Sequence, residues 1–200
     1  MPAALSAAEI LHEVLVPPRR AYVALPDLEV IERDGWHQII TPSFTRGGFN
    51  EIAHAALDPA DADRVIDQTI ADYRARDLRF RWTVGPDSAP PDLGARLAAR
   101  GLVHHEVIGM ARATAWEAAP DPDITVERVE HATLPAFTDV MARGWGTDPG
   151  PLDGAHRLML ADPAQRHRLY LARHRGIPAA TAGAVAFPRS MYLLGGVVLP

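Results

Sequence analysis

Nine histidines, twenty arginines and twenty-five carboxylates are the side chains with chemistry to offer in this 200-residue chain. Cys and Lys are both absent. Their absence removes thiol nucleophiles, disulfide frameworks, Cys-ligated zinc, Schiff-base lysine chemistry and a Walker-type phosphate loop. The histidines are spaced poorly for a metal. His104 and His105 are adjacent, so in an extended chain their rings point to opposite faces. His167 and His174 lie seven apart and also fall on opposite faces of a straight strand. No His-x-x-x-His pair sits on a helix, and no Glu flanks one at ligand spacing. The expectation is scattered surface imidazoles and no metal. Arg19-Arg20 and the set Arg166, Arg168, Arg173 and Arg175 read as solvated edges, where charge discourages strand-to-strand aggregation.

The apolar fraction of 48%, the charged fraction of 22% and a mean hydropathy of −0.07 describe a globular, soluble chain. A formal net charge of −5 gives no overall basic field to draw it to nucleic acid or anionic lipid. Ala3 to Val16 lacks a basic leading segment and carries Glu9 and Glu13 within its apolar stretch, unlike a signal peptide. No apolar run approaches the ~20 residues of a membrane helix. A cytoplasmic protein without membrane or nucleic-acid partners is expected.

Periodicity supplies the elements that must position any site. Leu5 to Val16 reads as a helix stopped by Pro17-Pro18. Leu28 to Glu32 and Trp36 to Thr41 flank Arg33-Asp34-Gly35 as a hairpin, and Asn50 to Leu57 reads as a further strand. Asp58 and Pro59 begin a helix whose apolar face is Ala62, Val65, Ile66, Ile70 and Tyr73. Phe80, Trp82 and Val84 alternate with polar residues as a strand; Asp92 to Arg100 is a short helix ended by Gly101; Leu102 to Ala113 returns as a strand. Ala115 to Asp123, with Pro120 and Pro122, reads as a linker.

A second unit then begins. Ile124 to Val129 is a strand, Thr133 to Gly144 a helix, and Gly154 to Leu160 a second helix. His167 to Arg173, Ala179 to Phe187 and Met191 to Val198 follow as strands. The predicted class is α/β with a mixed sheet, divided into a unit at 1–114, a linker at 115–123 and a unit at 124–200. The sequence stops on Val197-Val198-Leu199-Pro200, within an apolar strand, so the second unit is expected to be incomplete.

Ile124 to Pro200 resembles the first part of the GNAT superfamily of N-acetyltransferases. The likeness rests on strand–helix–helix–strand–strand–strand and above all on Met191-Tyr192-Leu193-Leu194-Gly195-Gly196-Val197-Val198-Leu199-Pro200. In that family the fourth strand reads in this way, and its Val-x-Pro ending leads into the coenzyme A pyrophosphate loop, [Arg/Gln]-x-x-Gly-x-[Gly/Ala]. The resemblance implies acetyl-CoA as co-substrate, no metal, and a small-molecule or peptide amine as acceptor. It also implies cofactor contacts at Gly196, Val197 and Val198. An acyl-pantetheine arm is extended and amide-rich, so it can pair with a splayed strand. Glycines do not obstruct that approach, and backbone N–H groups near Gly196 to Val198 can polarise a thioester carbonyl.

The first unit resembles the later part of the same fold, with Asn50 to Leu57 as the fourth-strand equivalent. Its following loop, Asp58-Pro59-Ala60-Asp61-Ala62-Asp63, has no glycine and carries three aspartates where a helix dipole should receive a diphosphate. The unit reads as a degenerate copy that does not bind coenzyme A.

Acetyl transfer to an amine also needs a route for the amine's proton. The strand Ala179 to Phe187 contains no carboxylate, which leaves Asp148 and Asp153 as the nearest acidic candidates, both also placed as turn formers. Tyr192 reads as core. Trp145, flanked by glycines, stands where the family's acceptor loop lies and can line a pocket or cap the core. No catalytic residue is assigned. The expected activity is acyl-CoA-dependent N-acyl transfer by direct attack in a ternary complex, with this chain alone inactive. The alternative is a non-catalytic binding protein built from two GNAT-like halves.

Overall fold

The computed structural model describes residues 5–45, 48–113, 119 and 121–200, and the chain divides into residues 24–109 and a second unit of residues 1–23 with 110–200. The first helix, α1 (Ala7–Leu15), starts at Ser6 through a reciprocal capping box with Glu9 and is followed by a 3-10 turn, Pro17–Arg20. Both belong to the second unit, whereas the sequence reading groups them with the first. Two contacts account for the difference. Arg189 Nη2 reaches Glu9 Oε1 at 2.7 Å, and Arg166 Nη2 donates to the Arg20 carbonyl at 2.8 Å.

In residues 24–109, β1 (Glu29–Arg33) and β2 (Trp36–Ile40) are antiparallel across Asp34-Gly35. Gly35 takes φ +66°, and a Cβ there would lie 2.6 Å from the Ala56 carbonyl oxygen, so both backbone and space require glycine. β3 (Glu51–Ala55) pairs antiparallel with β2; α2 (Ala62–Ala75) then crosses to β4 (Arg81–Trp82), parallel to β3. The helix α3 (Leu93–Ala99) follows. Trp36, Ile40, Ile52, Ile66, Tyr73, Leu93 and Leu97 form one buried cluster. Each buried Leu or Ile there contributes about 1.5–3 kcal/mol. Tyr73 satisfies its hydroxyl on the Ile39 carbonyl at 2.9 Å and stacks on Phe80 at 4.2 Å.

Two strand expectations change here. The alternation from Phe80 to Val84 yields only the two-residue β4, because Gly85–Ser88 turns the chain away from β3. Leu102 to Ala113 forms no strand: Val103, Val107, Ile108 and Met110 are 78–87% exposed and no ladder receives them among the described residues. Residues 115–118 and 120 of the expected linker lie outside the described residues.

The second unit is β5 (Ile124–Arg128), α4 (Leu134–Trp145), α5 (Pro149–Ala161), β6 (His167–His174), β7 (Ile177–Ala186) and β8 (Met191–Val198). Its four strands are antiparallel in the order β5-β6-β7-β8, leaving β8 at an edge. The helix α4 packs across β7 and β8 and against α5, burying Leu134, Phe137 and Val140. It ends at Gly146, in the left-handed conformation, rather than at Gly144. The helix α5 begins at Pro149, earlier than periodicity indicates, because Asp148 caps it by accepting the Gly150 amide at 2.9 Å. Among the described residues no helix is long and apolar enough to cross a membrane.

Candidate functional site

The strand β8 carries the candidate site. Ala182 of β7 faces Gly196 while Gly183 faces Leu194, so Gly195 is an extra, unopposed residue in β8. It adopts φ +26°, a conformation that side chains disfavour. Past the bulge, Leu199 N–H donates to the Ala179 carbonyl at 2.8 Å. Antiparallel ladders alternate, so Val197 N–H also turns toward β7, whereas Gly196 and Val198 turn their N–H groups toward the open edge. Of the three residues expected to bind cofactor, Gly196 and Val198 thus share an orientation that Val197 does not. Val197 is instead buried, 8% exposed, under α4.

The floor of this region is set by α4. Thr181 Oγ1 lies 3.0 Å from Met141 Sδ, and Met141 Cε lies 3.5 Å from where a Cβ on Gly195 would stand. Gly144 meets Val197 more closely still, for a Cβ on it would lie 1.9 Å from Val197 Cγ1. Sequence reasoning missed both, having taken Gly144 as the end of the helix; the second glycine, Gly146, was the available signal.

The acidic candidates have other work. Asp148 caps α5, and Asp153 binds Arg157 with Nε to Oδ2 at 2.6 Å. The strand β7 brings no carboxylate. Tyr192 is 39% exposed rather than core. Trp145 is 58% exposed on the last turn of α4, so it does not cap the core.

Between α4 and α5, His156 is buried, with Nδ1 2.9 Å from Thr138 Oγ1 and its ring edge-on to Phe137 at 4.8 Å. Burial pushes its pKa down to about 4. His167 is also buried, and burial, then the neighbouring Arg166, lowers its pKa. His174 is exposed at the far end of the same strand. No group of three or more His, Asp or Glu capable of holding a metal occurs among the described residues. Of the arginines expected as solvated edges, Arg173 pairs with Glu127 at 2.8 Å and Arg175 with Asp123 at 2.8 Å.

In residues 24–109 the turn before α2 is closed on itself. Asp58 Oδ1 accepts the Ala60 amide at 2.8 Å, and the Asp58 carbonyl accepts those of Asp61 and Ala62 at 3.0 and 2.9 Å. Asp61 pairs with Arg64, and Asp63 with both Arg96 and Arg100. The amides that a diphosphate would need are donated inward.

No family model matches the sequence, and no curated protein does. Among solved structures, a GCN5-related N-acetyltransferase from Kribbella flavida is similar over 98% of this chain and 74% of its own length, with a TM-score of 0.55 and 16% identity. The chain has a mixed α/β fold like that structure's, and its second unit has the expected strand–helix–helix–strand–strand–strand order.

Proposed function

We propose that the protein is an acyl-CoA-dependent N-acyltransferase whose acyl-thioester site is the open edge of β8. The observation that carries this reading is the bulge at Gly195, which turns the Gly196 and Val198 amides outward from an edge strand. Those donors meet an extended, amide-bearing pantetheine arm as a neighbouring strand would. They also stabilise the charge that gathers on the thioester oxygen as an amine attacks.

In the reaction the amine nitrogen bonds to the carbonyl carbon, the carbon–sulfur bond breaks, the amine loses a proton and the departing thiolate gains one. Acetyl is the proposed acyl group and a primary amine the proposed acceptor. Trp145 offers exposed aromatic surface to that acceptor. With Asp148 and Asp153 committed to a cap and an ion pair, the amine's proton passes to water in this reading. The unit at 24–109 acts as a degenerate copy, supported by the inward-donated amides before α2. The absence of Cys supports a reducing, cytoplasmic setting.

The test, made on the full-length protein because this chain alone is expected to be inactive, is amine-dependent release of free coenzyme A from acetyl-CoA, across a panel of small amines and peptide N-termini. A thiol reagent reads it cleanly because the chain has no Cys of its own. Release above the amine-free rate is the expected result. Binding of acetyl-CoA without release by any amine would favour the non-catalytic reading, which the lack of an uncommitted carboxylate in α5 and β7 also supports. Absence of binding removes the proposed site.

A further inference from the structure

Gly144 lies within the last turn of α4, in right-handed helical backbone, where alanine is intrinsically better by about 1 kcal/mol. It does not end the helix, since Gly146 does. What glycine supplies there is space. A Cβ would stand 1.9 Å from Val197 Cγ1, 2.8 Å from Cγ2 and 2.9 Å from Val197 Cβ. All three are too close for any carbon pair, and a β-branched side chain has little rotamer freedom to escape. The adjoining contact has the same character: Met141 Cε reaches the open face of Gly195, and Met141 Sδ lies 3.0 Å from Thr181 Oγ1 on β7. Helix and strand therefore meet along a seam, Met141 on the bulge and Gly144 on the residue two places beyond it.

We infer that Gly144 is a positioning residue for the acyl-thioester site, acting through Val197. This rests on the function proposed above. Close approach of α4 holds Val197 down into the core, and Val197 lies between the two residues whose amides face the edge. Lifting Val197 by the width of a methyl group rolls β8, displaces the bulge and turns the Gly196 and Val198 amides away from their shared direction. A displacement of about 1 Å in a positioning group is enough to cost roughly 100-fold in turnover.

The experiment is a titration with acetyl-CoA in large excess, following the backbone amide resonances of Gly196 and Val198 by nuclear magnetic resonance. It is made on the wild-type chain, Gly144→Ala, and Gly144→Ala with Val197→Ala. In the wild type both amides are expected to shift. In Gly144→Ala the shifts should be lost or require about tenfold more ligand. In the double variant, where the methyls at 1.9 and 2.8 Å are gone and only the Cβ contact at 2.9 Å is left, they should return at least in part. Equal shifts in the wild type and Gly144→Ala overturn the positioning role while leaving the proposed function standing. Absence of shifts in the wild type overturns both. Should Gly144→Ala fail to fold, the double variant decides: recovery of fold and shifts supports the inference, and failure as deep as the single variant's overturns it.

Discussion

A neutral imidazole in a dry place is a stored pH response, and His156 is the clearest one in the chain. Its hydrogen bond to Thr138 and its contact with Phe137 tie α4 to α5. Its pKa of about 4 lies below the ordinary 6.5, so between those values the unfolded chain binds the proton that the folded chain refuses. Stability is therefore full above pH 6.5 and falls as the pH drops toward 4, by about 3 kcal/mol in total. Urea midpoints at pH 7.5, 5.5 and 4.5 should show that decline. His156→Gln should flatten most of it, with the remainder following His167, whose shift has the same sign. An unchanged slope in that variant would locate the acid sensitivity elsewhere. Little of this was legible beforehand. Spacing correctly placed His167 and His174 apart, but nothing in a sequence states that a histidine between Ala155 and Arg157 will face another helix. Asp148 carried a usable signal that the reading passed over, since Asp before Pro is a helix start, whereas the helix was placed only from Gly154.

At the scale of elements, helices emerged from the sequence better than strands. Their apolar periodicity is local, and α2 buries Ala62, Ile66 and Tyr73 as the pattern requires. A strand needs a neighbour. Phe80 to Val84 and Leu102 to Ala113 both alternate well enough, yet the first finds two residues of partner and the second none among the described residues. The glycine strand was legible because its unusual residues are the ones that form the bulge. The turn before α2 was legible as acidic but not in its detail: Asp58 itself accepts the Ala60 amide there. Asp58→Ala should lower stability by about 1 kcal/mol, the value of one hydrogen bond lost from the turn that precedes α2, as measured by denaturant midpoint. It should not create affinity for coenzyme A, because the Asp58 carbonyl still holds the Asp61 and Ala62 amides. Tight binding gained at that turn would refute the degenerate-copy reading.

For the whole molecule, the two units differ in their hydrogen-bond accounting. In residues 24–109 the donors at the start of α2 are satisfied by the chain itself. In the second unit the donors at the edge of β8 face outward with no strand beside them among the described residues. A ligand that binds through backbone amides must discriminate between these states, since only unsatisfied donors gain on binding. Hydrogen exchange resolved to single amides reads that difference directly. With acetyl-CoA in excess, exchange at Gly196 and Val198 should slow, whereas Ala60, Asp61 and Ala62 should keep the rates they have without ligand. Slowing at the α2 turn alone would transfer the site to residues 24–109 and make the glycine strand a structural bulge. Slowing at both would mean that each unit engages a coenzyme, and the Asp58 carboxylate would then have to yield its amide to a phosphate. The asymmetric result is the one the hydrogen bonds dictate, because exchanging a carboxylate already in contact for a diphosphate beside Asp61 and Asp63 gains no donor and adds repulsion.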